Sequence, residues 1–188
     1  MAEIKEVHES MLDMVSIRLV KDAPLMGRKP IKNPGDAVEL LGEYLCKMDR
    51  EVICIINLRT DGCPINCSIC SIGTLDGAMV NPREIMKAAI LSNAASILML
   101  HNHPSSNMDP SKDDAKITDR MVSVCEIMGI PLVDHIIVGG DNSEYFSFKE
   151  KGIMPMKALD FQNDHTKINI DTACAAEDHG VSRSRKRR

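Results

Sequence analysis

Apolar positions recur along the chain in two rhythms, and the change from one to the other marks the elements. Ala37, Leu40, Leu41, Tyr44, Leu45 and Met48 return at helical spacing and make one stripe. Asn33 stands where a cap belongs and Pro34 suits a first turn, so a helix is expected from there to about Asp49. The rhythm then breaks. Glu51 to Leu58, EVICIINL, is nearly continuous and apolar with three isoleucines, the pattern of a strand covered on both faces. Thr60-Asp61-Gly62 turns the chain, and a second strand from about Pro64 to Ile72 is expected to pair with it as a hairpin.

Asn81-Pro82-Arg83-Glu84 opens the next helix with a cap, a proline at the first position and a glutamate three residues after the cap. That helix runs to about Asn93. Ser96 to Leu100 reads as a short strand, Ser111 to Met128 as a long helix stopped by Gly129, and Pro131 to Val138 as another strand. Gly139-Gly140-Asp141-Asn142 makes a turn, Tyr145-Phe146 a short edge strand, and Ser147 with Glu150 has the spacing of a further capping box. Towards the start, Met14 to Lys21, MVSIRLVK, has a β-branched strand mixture, with a Pro- and Lys-rich loop after it to Asn33. The pattern dissolves after Met154. The expected organisation is an extension over 1–12, one folded domain over 13–154 and a disordered tail over 155–188. Helices interspersed with strands imply an α/β domain, a mixed sheet with helices packed on it.

Composition narrows the class. With 44% hydrophobic and 27% charged residues among 188, and no apolar stretch near the roughly 18 residues of a membrane span, the chain reads as soluble and without a membrane partner. MAEIKEVHES lacks the basic start and apolar block of a secretory signal, so a cytoplasmic location is expected. Seven cysteines, an odd number, suit a reducing compartment, and most are expected as small core residues. A net charge of -4 with 3% aromatic residues argues against a nucleic-acid binder built on a basic face and stacking platforms. The end, VSRSRKRR, carries five basic residues in eight and is read as a solvated extension rather than a nucleic-acid contact.

The candidate chemistry lies in LMLHNHPSSNMDPSKDD. In an extended chain alternate side chains share a face, so His101 and His103 point the same way about 7 Å apart at the backbone. Two imidazoles so placed can converge on one ion. Zinc chemistry needs about three protein ligands and an open position for water, and Asp114, on the first turn of the helix that begins at Ser111, is the candidate third. A blander reading makes the histidines polar residues at a strand exit and Ser111-x-x-Asp114 an ordinary helix start. The combination favours the metal reading, although each part alone favours the bland one. Asp109 and Asp113 read as solvated or capping carboxylates. His135, on LVDHIIV, reads as a satisfied core or surface histidine, with a contact to a metal ligand as the alternative.

These residues resemble a known family. HNHPSSNMDPSKDD matches the His-x-His-x7-Ser-x-x-Asp signature of the JAB/MPN (JAMM) metalloproteins at every fixed position. REVICIINL, GTLDG, NPREI, LSNAASILMLHNHPS, PSKDD, LVDHIIVGG and EYFSFKEKG, in that order, look like its RadC-like branch, over about Val15 to Met154. The resemblance implies a cytidine-deaminase-like three-layer α/β/α sandwich with zinc held by His101, His103 and Asp114. The family's glutamate, at the start of the strand after the first helix, matches Glu51. A carboxylate there can take a proton from a water acidified by zinc. Glu84, the other candidate, is accounted for by helix capping. In the wider family the serine of the motif donates a hydrogen bond to the oxyanion or the water, a task open to Ser111. The activity implied is that of a zinc metallohydrolase of metallopeptidase or isopeptidase type, acting on a peptide or protein.

Other readings fit less well. In HNH nucleases the named residues are dispersed, whereas here they are contiguous. A zinc deaminase wants His-x-Glu and a later Pro-Cys-x-x-Cys, and His8-Glu9 fails as His-Glu-x-x-His because Leu12 takes the second histidine's place. Cys63, Cys67 and Cys70 lie along an expected strand without a near fourth ligand, which disfavours a structural zinc. GTLDG lacks phosphate-loop spacing. The alternative from another class is a DNA-binding or DNA-repair-associated module without turnover, which the RadC resemblance brings with it. The helix-hairpin-helix that many relatives carry ahead of the domain is not seen in this sequence, so DNA association would rest on the tail.

Overall fold

Capping fixes where the helices begin. In the computed structural model, which describes residues 16, 19–20, 29–73, 81–141 and 144–155, Asn33 accepts the Asp36 N–H at 3.0 Å while the Asp36 carboxylate accepts the Asn33 N–H at 3.1 Å. This reciprocal box, with Pro34 in the first turn, starts α1, Pro34–Cys46. Ala37, Val38, Leu41 and Leu45 go inward, whereas Tyr44, at the margin of the stripe, is exposed. The second helix, α2, Pro82–Leu91, starts differently from expectation. Asn81 accepts from the Arg83 N–H at 3.1 Å, one residue earlier than a capping box requires, and Glu84 turns outward to Lys87 at 2.9 Å. The remaining helix, α3, Lys112–Met128, is capped by Ser111 and ended by Gly129, whose φ of 65° is the left-handed conformation that glycine adopts without strain.

Five strands form one mixed sheet: β1, Val52–Leu58; β2, Pro64–Ile72; β3, Ser96–Asn102; β4, Leu132–Val138; and β5, Tyr145–Ser147. Their order across the sheet is β2-β1-β3-β4-β5, with only β3 and β4 parallel. Of the strand expected over 14–21 only residues 16, 19 and 20 are described, and residues 74–77 of GTLDG, Asn142 of the turn, and the extension and tail apart from Pro155 lie outside the described residues. Among the described residues no helix is long and apolar enough to cross a membrane.

Strand alternation divides the core into two layers. Val52, Cys54, Ile56 and Leu58 of β1, Leu98 and Leu100 of β3, and Ile136 and Val138 of β4 pack with α1. Ile53, Ile55, Ile97 and Met99 face the other way, against Ile85, Met86 and Ala89 of α2 and Met121 and Cys125 of α3. With both faces covered, every residue of β1 is buried. Burial of this kind stabilises by about 1.5–3 kcal/mol per large aliphatic side chain. The result is an α/β/α arrangement, with α1 on one face of the sheet and α2 and α3 on the other.

Two register choices set up the functional end of the sheet. Because β1 runs antiparallel to β3, the first residues of β1 lie beside the last residues of β3, with Ile53 opposite His101. Because β4 runs parallel, it continues β3 past the expected end at Leu100, pairing His101 with Ile137 and Asn102 with Val138. At the other side of β4, the buried Asp134 carboxylate accepts the Ser147 hydroxyl at 2.6 Å, the His135 N–H at 2.8 Å and the Lys149 N–H at 2.9 Å. Burial pushes this carboxyl up, against the three donors that hold it down. Asp134→Ala strands a hydroxyl and two backbone donors and is expected to cost about 2–4 kcal/mol. Urea unfolding should show this as a lower midpoint at unchanged slope, and an unchanged midpoint contradicts the anchoring role.

Candidate metal centre

Parity along β3 delivers the histidines. Ile97 and Met99 face α3, so His101 does too, and it is only 1% exposed. His103 follows two residues on, still tied to the sheet because its N–H donates to the Val138 carbonyl at 3.0 Å. The chain then folds back over the strand end. Ser106 adopts a φ of 58°, its N–H donates to the His103 carbonyl at 3.0 Å, and its hydroxyl accepts the Gly140 N–H at 3.2 Å. The Asn107 carbonyl lies 2.6 Å from His103 Nδ1. A carbonyl only accepts, so Nδ1 carries a proton, and in the neutral ring Nε2 presents its lone pair inward.

Asp114 arrives on the first turn of α3. Its backbone N–H donates to Ser111 Oγ at 3.1 Å and its Oδ2 accepts the Ser111 N–H at 2.7 Å, so the box that starts the helix also fixes the carboxylate. Oδ1 lies 3.2 Å from His101 Nε2, Oδ2 lies 3.5 Å from His103 Nε2, and the two Nε2 atoms are 2.9 Å apart. Ligand atoms bonded tetrahedrally to one zinc at about 2.0–2.2 Å stand ~3.3 Å from one another, so the donors fit a single ion. His101, His103 and Asp114 can hold a metal ion; their ligand atoms lie within 4.8 Å of one another, and among the described residues no other group of three or more His, Cys, Asp or Glu does so.

Charge follows geometry here. Burial pushes the Asp114 carboxyl up, but hydrogen bonds from His101, His103 and Ser111 and the nearby imidazole charge hold it well below the carboxylate range. The hydrogen bond to Asp114 raises His103 above the ordinary imidazole value, against burial and with help from the Asn107 carbonyl and the charges of Asp114 and Glu51.

The register brings Glu51 to this end of the sheet, and its charge bears on His103. The clamp that fixes this approach was not foreseen. Asn102, the middle letter of His-Asn-His, accepts the Val52 N–H at 2.8 Å and donates to the Arg50 carbonyl at 3.0 Å, gripping the backbone on both sides of Glu51. Ser111 is exposed and serves as the cap; its oxygen accepts there, which leaves its hydroxyl proton able to donate. Asp113 pairs with Lys116 at 2.8 Å, and Asp109 is an exposed loop carboxylate.

His135 contacts a candidate ligand directly: its Nε2 lies 2.8 Å from His101 Nδ1, and its Nδ1 lies 2.6 Å from Thr118 Oγ1. Thr118 had no signal in the sequence beyond its place one turn after Asp114. The cysteines do not converge, since Cys67 packs on the α1 side of the sheet and Cys70 on the opposite side. Burial pushes the Cys54, Cys70 and Cys125 thiols up to about 12, as suits inert packing residues.

With the site in view, comparison with known proteins is direct. A family model described as RadC-like JAB domain matches residues 31–153. The chain is 40% identical over 128 residues to a UPF0758 protein of Rubrobacter xylanophilus, covering 68% of this chain and 55% of that protein. It is 42% identical over 124 residues to a UPF0758 protein of Clostridium novyi, covering 66% and 54% respectively. A third, from Desulfitobacterium hafniense, is 38% identical over 137 residues, covering 73% and 59%. The chain thus belongs to the RadC-like JAB domain family, and it spans little more than half the length of these relatives.

Metal binding should be linked to pH through His103. To offer Nε2 to a metal it must be free of the second proton, and its raised pKa places that loss above the ordinary value of about 6.5. Affinity for a divalent ion is expected to rise with pH through that value and then level off. Calorimetric titration at about pH 7 in two buffers of different ionisation enthalpy should show net proton release. Identical heats in both buffers would count against this linkage.

Proposed function

We propose that this chain is a zinc-dependent hydrolase acting on an amide, in a peptide or an isopeptide linkage. The observation that carries the reading is the convergence of His101 Nε2, His103 Nε2 and the Asp114 carboxylate; the charge of Glu51, just ahead of β1, bears on His103 and supports it as a group outside the ligand set. Two imidazoles and one carboxylate also suit ferrous iron. A second carboxylate beside the site, with a serine at its rim, matches the needs of hydrolysis.

Zinc, when bound there, supplies a Lewis acid for the amide carbonyl and brings the pKa of a water towards about 7. Glu51 accepts the proton lost by the attacking water and passes it to the departing amine. The Asn102 clamp holds the backbone on both sides of Glu51. Ser111 donates its hydroxyl to the oxyanion as the carbonyl becomes tetrahedral. Asp114, fixed by the Ser111 N–H, keeps its charge throughout. The reading as a DNA-associated module comes with the RadC resemblance; its DNA contact would rest on the tail over 155–188, and it makes no use of these residues.

The test separates metal from turnover. Purified protein is expected to hold one zinc per chain, lost in His101→Ala and in Asp114→Ala. Glu51→Gln should keep its zinc and lose about 10²–10⁴-fold in cleavage of a fluorogenic peptide or of its lysine ε-amide counterpart. Equal metal in the parent and both ligand variants contradicts the site. Undiminished cleavage by Glu51→Gln contradicts the role of the base.

A further inference from the structure

We propose that Thr118 and His135 are positioning residues: a one-way chain of hydrogen bonds from His101 through His135 and Thr118 to the backbone of Asp114 sets the tautomer of His101 and aims its Nε2 lone pair at the metal. This inference rests on the reading of His101, His103 and Asp114 as a metal centre, and deepens it.

The direction of the chain follows from what each atom can donate. Thr118 Oγ1 lies 2.6 Å from the Asp114 carbonyl and 2.6 Å from His135 Nδ1. A threonine hydroxyl has one proton, and a carbonyl oxygen has none to give. The proton therefore points to Asp114, and Thr118 must accept from His135, which fixes a proton on His135 Nδ1. His135 is fully buried, stacked on Phe148 with ring centroids 4.9 Å apart, and its two ring nitrogens face His101 and Thr118 rather than a carboxylate. Burying a charged imidazole without a carboxylate against it is costly, so the ring is neutral. With Nδ1 protonated, its Nε2 can only accept, and the atom 2.8 Å away, His101 Nδ1, must donate. His101 thus carries its hydrogen on Nδ1.

The chain does more than orient one ring. It begins at one metal ligand, on β3, and ends on the main chain of another, on α3, crossing the core through β4. Thr118 stands one turn after Asp114, so its bond to the Asp114 carbonyl also braces the turn that carries the carboxylate. A valine at 118 keeps the shape but lets His135 take the other tautomer, with its proton on Nε2. That proton would oppose the one on His101 Nδ1, and relief requires His101 to shift its own proton to the nitrogen needed by the metal.

The experiment reads tautomers and metal affinity together. Long-range ¹H–¹⁵N spectra of the metal-free protein at about pH 8, above the ordinary imidazole range, should show His135 protonated on Nδ1 alone and His101 protonated on Nδ1. Zinc affinity, by competition with a chelator, is expected to fall about 10–100-fold in Thr118→Val and to recover in Thr118→Ser. A merely structural threonine would lower the melting temperature of Thr118→Val without moving the His135 tautomer, and that result overturns the proposal. So does a parent protein in which His135 carries its proton on Nε2, a reading independent of how well any variant folds. A parent that shows the stated tautomers yet takes up no zinc would overturn the metal reading and, with it, the purpose assigned to the chain. A parent that binds zinc with the opposite His135 tautomer overturns the chain alone.

Discussion

Two imidazole nitrogens 2.9 Å apart, with a carboxylate 3.2 and 3.5 Å from them, are an electrostatic arrangement that proteins do not hold without reason. Once both Nε2 atoms are deprotonated, lone pair faces lone pair, and a cation between them turns that repulsion into binding. Much of the nearby structure works to keep those three groups from relaxing apart. The Asn107 carbonyl fixes one ring, His135 holds the other, and the helix cap grips the carboxylate. Each restraint comes from a different element, so none can move alone.

The sheet makes that convergence cheap. Placing β1 antiparallel and β4 parallel to β3 gathers the start of one strand and the ends of two others at a single edge, next to the N-terminus of α3. The two apolar layers then supply rigidity rather than chemistry. Ile97 and Met99 on the α3 face continue directly into His101, so the packing that fixes the strand fixes the ligand. The polar chain through Thr118 and His135 replaces apolar contact where that layer meets the site, and its buried donors and acceptors are paired with one another.

Much of this was legible in the residues because the relevant signals are local. The apolar run from Val52 to Leu58, the Asn33 and Ser111 caps and the Gly129 stop depend only on near neighbours, and the structure places them as read. The spacing of His101, His103 and Asp114 was equally visible, since alternation on a strand and the first turn of a helix are short-range rules. Glu84 misled because a capping box is a choice between two nearly equivalent hydrogen bonds, and Asn81 takes the one to Arg83. Asn102 and Thr118 were silent for the opposite reason. Asn102 bonds to β1 and the residues before it, and Thr118 to His135 of β4, partners that only the packing of elements reveals.

The most direct test of the central claim is anomalous diffraction from zinc-soaked crystals, recorded on either side of the zinc absorption edge. A single strong peak within about 2.0–2.2 Å of His101 Nε2, His103 Nε2 and one Asp114 oxygen, with no fourth protein atom bonded, is the predicted result. A map with no peak there, or with the two rings rotated away from a peak elsewhere, would contradict it.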